Sequence, residues 1–346
     1  MTTLKKNRKL NRMTTLGIIL VIAGAIAIIA GRGGFGVDHR LLSAKEKATL
    51  NAQVQPGLVW PEIQRPGNIE IDGTVVSIPM SHYPNYFVFP TIDGIKRRFL
   101  VDTGAWNCML DPYVAIQHNV PIVPGITPSS WSLSGTTASV AGIIPHIQLG
   151  DIAIKDTPVI ISEASSGFKI CWIRVGRLDG IFGNSFFIAF VATFDARNKI
   201  LTLRLPSGFD PSRDLPNIID TIPFKINDQG HIELTARICG QDRQAILDFG
   251  AQSAIVLPLE WAQELKIPLN GSEKITGHGG KVFAPTGGPV VVEIGKARAE
   301  LSVVCPAVSY PAGCKRTAII SDTFFDIYRL TIDFPKRLLY IENRDK

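Results

Sequence analysis

The chain has 346 residues, 45% of them apolar, and a formal charge of +6, which is enough length for two packed domains and enough apolar content for their cores. Lys5, Lys6, Arg8, Lys9 and Arg12 crowd into a tail without acids, so the remainder is close to neutral and no nucleic-acid-binding surface is expected. Cys108, Cys171, Cys239, Cys305 and Cys314 lack C-x-x-C spacing, which argues against a zinc site or a disulfide scaffold. Cys305 and Cys314 flank a Pro/Gly loop and are either one bridge or two unrelated thiols.

In chain order, residues 1–12 form the basic tail, and no charge occurs from Met13 to Gly31. The apolar run inside 13–31 is long enough to cross a bilayer once. Basic residues before it, with Arg32 alone after it, predict a cytoplasmic N-terminus and a periplasmic or extracellular remainder. A cleaved signal peptide is the rival reading, because Ala25-Ile26-Ala27 has the small-x-small form. Residues 32–70 read as a stalk: a Gly-rich exit, a helix-permissive stretch from Leu41 to Val54, then Pro56, Pro61 and Pro66.

Residues 71–206 then form a first module of short strands and turns. The apolar run Phe99-Leu100-Val101 stops at Asp102-Thr103-Gly104-Ala105, a strand that delivers one carboxylate into a tight turn. Asp111-Pro112 has the N-cap and first-turn proline of a short helix ending near Val120-Pro121. Trp131 to Thr137, with Gly135 inside, reads as a hairpin tip. Leu178-Asp179-Gly180-Ile181-Phe182-Gly183 and Asn184-Ser185-Phe186-Phe187 follow, and Ile200-Leu201-Thr202-Leu203 closes the module.

Residues 207–220 are a linker by composition, and 221–344 repeat the order. Ile246-Leu247 leads into Asp248-Phe249-Gly250-Ala251, 146 positions after the first aspartate. Pro258-Leu259-Glu260-Trp261 opens the second short helix, and Gly277-His278-Gly279 forms the second hairpin tip. Ser321-Asp322-Thr323-Phe324-Phe325 through Asp333 aligns without gaps to Gly183 through Asp195, at an offset of 138.

The doubled apolar-apolar-Asp-X-Gly-Ala pattern resembles the aspartic peptidases, in particular the retropepsin-like branch. The resemblance implies an all-β protein: two tandem retropepsin-like (acid protease) β-barrel lobes after an N-terminal transmembrane helix, paired within one chain. It implies Asp102 and Asp248 as a catalytic pair that shares one proton and activates a water, with no metal and no cofactor. Thr103, Gly104, Ala105, Phe249, Gly250 and Ala251 would support the dyad. Trp131, Gly135, Gly277 and His278 would lie in flaps over a cleft that takes a peptide or protein substrate.

Two departures from the family pattern fall in the second module. Phe249 stands where a hydroxyl residue is expected and Ser321 where a glycine is expected. Phe249 is therefore expected to leave an opposing amide unbraced, and Phe249→Thr to strengthen the site or its turnover. Ser321 is expected to crowd the aspartate loop and Asp322 to face solvent. The implied activity is a membrane-anchored aspartic endopeptidase; the alternative is a weak or inactive descendant that binds a peptide or protein partner in the cleft. Trp106, directly after Ala105, either shapes the cleft entrance or packs under the loop.

Overall fold

The structure is a computed structural model that describes residues 35–82, 85–132, 135–162, 164–170, 173–251, 253–277, 280–306, 316–326 and 328–343. The chain divides into two compact units. In the described part of the first, strands Phe35–Leu41, Ala164–Ile170 and Ile173–Arg177 form one three-stranded sheet. Residues 166–177 thus belong to a different unit from the rest of the 71–206 module.

The second unit, residues 41–165 and 178–346, is mostly strand. Its two large sheets are built alike. In the first, Tyr86–Val88 pairs antiparallel with Phe99–Val101, with Phe87 opposite Leu100. Phe99–Val101 in turn lies parallel to Gly180–Phe182. In the second, Ile232–Ile238 pairs with Gln241–Leu247, with Glu233 opposite Ile246, and Gln241–Leu247 lies parallel to Ala318–Ile320. Adding 146 to 87 and 100 gives 233 and 246, so both aspartate strands have one register. A further pairing of Ile232–Ile238 with Gly280–Ile294 curls the second sheet back on itself.

A six-stranded sheet takes three strands from each half of the repeat. At its centre Val191–Asp195 runs antiparallel to Tyr328–Asp333, with Thr193 opposite Thr331. Their hydroxyls are 2.8 Å apart. A residue that faces its own repeat counterpart, 138 positions on, lies on a local two-fold axis. Beneath this sheet the core is aromatic: Phe182, Phe186, Phe187 and Phe190 are fully buried. Phe187 also meets Phe334 of the other half at 6.1 Å between ring centroids.

The short helices start where turn chemistry predicts. Asp111 caps helix Pro112–Gln117 by accepting from the Tyr113 amide at 2.9 Å, and Pro258 precedes Leu259–Glu264. The stalk reading of residues 32–70 is corrected beyond Leu41. Helix Ala44–Ala52 carries a Ser43/Glu46 capping box. The Gln53 side chain then donates to the Ala115 carbonyl at 3.1 Å, and the Ile122 amide donates to the Gln53 carbonyl at 3.0 Å. Asn68–Ile71 adds a strand beside Ile152–Ser162, so the segment is docked on the first sheet because its backbone groups are paired there.

The expected linker 207–220 is partly ordered as Pro211–Asp214, and Ile218–Pro223 already pairs with Leu338–Asn343. Cys305 is a free, buried thiol, which favours the reading of two unrelated thiols over a bridge to Cys314; Cys314 itself lies outside the described residues. Among the described residues no helix is long and apolar enough to cross a membrane. The expected span at 13–31 lies outside them.

Candidate active site

Each aspartate follows its strand directly into a tight turn. The Asp102 amide donates to the Phe182 carbonyl at 3.0 Å and the Asp248 amide to the Ile320 carbonyl at 2.9 Å, so both turns hang from the neighbouring parallel strand. The two carboxyl groups then meet and hydrogen-bond each other. Gly104 and Gly250 make this approach possible: a Cβ on Gly104 would fall within the Asp248 carboxylate, and one on Gly250 within that of Asp102. No side chain fits at either position.

Backbone amides of each turn point at its own carboxylate, Gly104 and Ala105 at Asp102 and Gly250 and Ala251 at Asp248. Asp248 Oδ1 accepts from the amides of Gly250 at 2.8 Å and Ala251 at 3.0 Å, and Asp102 Oδ1 accepts from Gly104 at 2.9 Å. Both residues keep some solvent exposure, yet their carboxyl groups are set deep enough for desolvation to dominate. Burial pushes Asp102 well above the usual carboxylate range, and the neighbouring Asp248 charge and their mutual hydrogen bond add to it. Burial also raises Asp248, but the hydrogen bond from Asp102, the Gly250 amide, His231 and the Ala251 amide oppose it. Burial and the mutual contact thus raise both carboxyls, Asp102 the further, as expected of two carboxyls set together away from water.

Thr103 is fully buried and braces the opposite loop: its hydroxyl donates to the Leu247 carbonyl at 2.9 Å and accepts from the Phe249 amide at 3.0 Å. The reciprocal hydroxyl, which would brace the first loop, is missing as expected, while the second loop carries a further brace. Asn85 Nδ2 donates to the carbonyls of Phe249 and Ala251, each at 2.9 Å. The Phe249 ring points into the core, edge-on to Tyr86 at 5.3 Å and to Phe194 at 4.9 Å. The Phe249 ring thus fills an aromatic pocket, so the position is packed around a ring as well as lacking the hydroxyl.

Ser321 does not crowd the loop. In the first half, a Cβ on Gly183 would strike the carbonyls of Ala105, Trp106 and Asn107. In the second half the contact moves along the loop, where the Ser321 amide donates to the Ala254 carbonyl at 3.1 Å. Ser321 Oγ then caps the turn Asp322–Phe325 by accepting from the Thr323 amide at 3.2 Å. Asp322 is 1% exposed, which corrects its expected solvent-facing position. It is the repeat counterpart of Asn184, whose Nδ2 donates to the carbonyls of Thr103 at 2.8 Å and Gly230 at 2.9 Å.

The flap residues are only partly described. Gly135 pairs with Ser132 and Gly277 with Gly280 at the two hairpin ends, while the side chain of Trp131 and all of His278 lie outside the described residues. Trp106 packs outward rather than under its own loop. Its ring rests on Gly230 of the second half, and its Nε1 donates to Gln64 at 3.2 Å. Asn85, Asn184 and His231 stand outside the residues that the sequence motif points to; each joins one aspartate loop to the opposite half.

Residues 89–186, less than a third of the chain, match the model of the Aspartyl protease family. The match spans the Asp102 turn, helix Pro112–Gln117 and the Gly180–Phe182 strand, so this part of the chain is similar to an aspartyl protease domain. No curated protein matches the chain.

Proposed function

We propose that the chain is a membrane-anchored aspartic endopeptidase in which Asp102 and Asp248 act as one catalytic pair. The observation that carries this reading is the contact between the two carboxyl groups, each facing the glycine of the opposite loop; in it Asp102, raised the further, holds the shared proton. Ionised Asp248 takes a proton from a water whose oxygen attacks the scissile carbonyl carbon, and Asp102 O–H donates to the carbonyl oxygen. Collapse of the tetrahedral diol breaks the C–N bond as a proton passes to the leaving nitrogen. The departure at Phe249 favours a second reading, a non-catalytic descendant that binds a peptide or protein partner.

The deciding experiment incubates the full chain with a mixed peptide library across pH. Cleavage is expected to follow a bell-shaped profile with its optimum on the acid side of neutral: Asp248 must be ionised on one limb and Asp102 protonated on the other. A mimic of the hydrated peptide bond should block it and a metal chelator should not. Cleavage that persists in Asp102→Asn would sink the mechanism, and an intact chain that cuts nothing at any pH would favour partner binding.

The anchor at 13–31 and its orientation rest on the sequence pattern of a basic tail before an uncharged apolar run. A C-terminal tag on the full chain should accordingly be digested by protease added outside intact cells or spheroplasts. Digestion only after the cytoplasm is opened would reverse the orientation, and a tag released from the membrane by N-terminal cleavage would favour the signal peptide.

A further inference from the structure

Thr103 of the first aspartate loop and Phe249 of the second are repeat counterparts, 146 positions apart. Each offers its carbonyl oxygen to an asparagine amide. Asn184 Nδ2 donates to the Thr103 carbonyl at 2.8 Å and Asn85 Nδ2 to the Phe249 carbonyl at 2.9 Å. Both asparagines belong to the first half, and both are buried. Their own repeat counterparts are different residues: His231 stands at the place of Asn85 and Asp322 at that of Asn184. The duplication therefore does not account for the match, which arises twice from different elements.

Each amide also makes a second bond with the same nitrogen. Asn184 Nδ2 donates to the Gly230 carbonyl of the second half at 2.9 Å, and Asn85 Nδ2 to the Ala251 carbonyl at 2.9 Å. The partners of both nitrogens are carbonyl oxygens, which fixes the orientation of each amide. Asn184 Oδ1 is buried without a partner among the described residues, so what fixes this side chain is its nitrogen. The Asn184 backbone adds to the grip, its amide donating to the Ala105 carbonyl at 2.8 Å. Gly230 is pinned by the Trp106 ring as well, at a place where a Cβ would not fit. The first loop, which receives no hydroxyl from position 249, is thus tied to the second half through Asn184 and Gly230. The second loop is tied to the first half by Thr103 and Asn85.

We propose that Asn184 and Asn85 are positioning residues that hold the two aspartate loops at contact distance, with Asn184 standing in for the hydroxyl that position 249 lacks. The proposal rests on the reading of Asp102 and Asp248 as a proton-sharing pair. Gly104 and Gly250 each lie directly against the carboxylate of the opposite loop, so any loosening of one loop against the other acts on the contact between the carboxyls.

The test is a carboxyl-13C NMR titration of the full chain labelled at aspartate, with thermal unfolding of the same samples. The two signals are assigned by their loss in Asp102→Asn and Asp248→Asn. Carboxyls in contact titrate in two separated steps. In Asn184→Ala and in Asn85→Ala the steps should draw together by about one pH unit, because looser loops couple more weakly. In any active preparation kcat should fall about a hundredfold, as for a misplacement of about 1 Å, with KM close to that of the parent. Asn184→Leu and Asn85→Leu keep the volume without the donor and carry the test where alanine does not fold. A residue whose folded variant melts earlier but keeps the parent's separation and kcat is a plain structural tie, which overturns the proposal for it. Loss of fold in all four variants overturns it for both. A parent chain whose carboxyls titrate together has no shared proton, and the proposal falls with that reading. A parent with separated steps that narrow in the variants, but that cuts no peptide, leaves the asparagines in their role and removes the peptidase reading. A parent that cuts peptide while the variants keep the separation does the reverse.

Discussion

Replacing Asp102 with Asn is expected to abolish peptide cleavage and, at neutral pH, to make the protein more stable. The loss follows from the role: Asn has no acidic proton to give the scissile carbonyl, and a general acid contributes on the order of 10² to 10⁴ in rate. The gain follows from linkage. Burial and the neighbouring Asp248 raise the Asp102 pKa above 3.8, so the folded chain binds this proton more tightly than the unfolded chain does. Stability from this group is complete below about pH 4 and is lost as pH rises through the folded pKa, at roughly 1.4 kcal/mol for each pH unit that separates the folded and unfolded pKa. Asn removes that loss and keeps a donor aimed at Asp248. The variant should therefore gain about 1 to 3 kcal/mol over the parent near pH 8, the gap closing toward pH 4. Thermal unfolding of both chains at a series of pH values reads this directly. A variant no more stable than the parent at pH 8 would mean that the carboxyl groups do not share a desolvated site.

Features with local causes are legible in the sequence. An apolar run ending in Asp-X-Gly-Ala states a strand and a turn within seven residues, and its recurrence at 146 positions carries the same register in both sheets. The helix at Pro112–Gln117 is likewise readable from Asp111 and Pro112 alone. Features that depend on partners far away in the chain are misread. Phe249 stands out in the sequence by the hydroxyl it lacks, because its partners Tyr86 and Phe194 leave no mark near position 249. The charge of Asp322 points to solvent, although its alignment without gaps to the buried Asn184 points inward. Asn85 and His231 carry a usable signal, since both stand at one place in the repeat and both are polar ahead of apolar strands. Residues 44–71 look like a stalk because pairing with Ile122 and Ile152–Ser162 is not encoded in a composition rich in Lys, Glu and Ala.

Phe249→Thr is the change that restores the family pattern, and it is expected to destabilise the protein rather than repair it. The ring is fully buried and packs edge-on against Tyr86 and Phe194, which are buried as well. Removing it leaves a cavity between two aromatic rings and places a hydroxyl at its wall, for which loss of a large core side chain costs about 3 to 5 kcal/mol. The new hydroxyl would have to reach the Thr103 amide of the opposite loop, the counterpart of the contact that Thr103 makes with the Phe249 amide, and one such hydrogen bond is worth about 1 kcal/mol, less than the cavity costs. Adding Ser321→Gly should not rescue the variant, because it removes the cap on the Thr323 amide at a further ~0.5 to 2 kcal/mol while relieving no contact. Phe249→Leu, which keeps most of the volume, should cost clearly less than Phe249→Thr. Urea unfolding of the three variants beside the parent tests the order. If Phe249→Thr proves as stable as the parent, or cleaves faster, then the aromatic pocket is not what holds the second aspartate loop, and the hydroxyl brace on the first loop matters more than the ring.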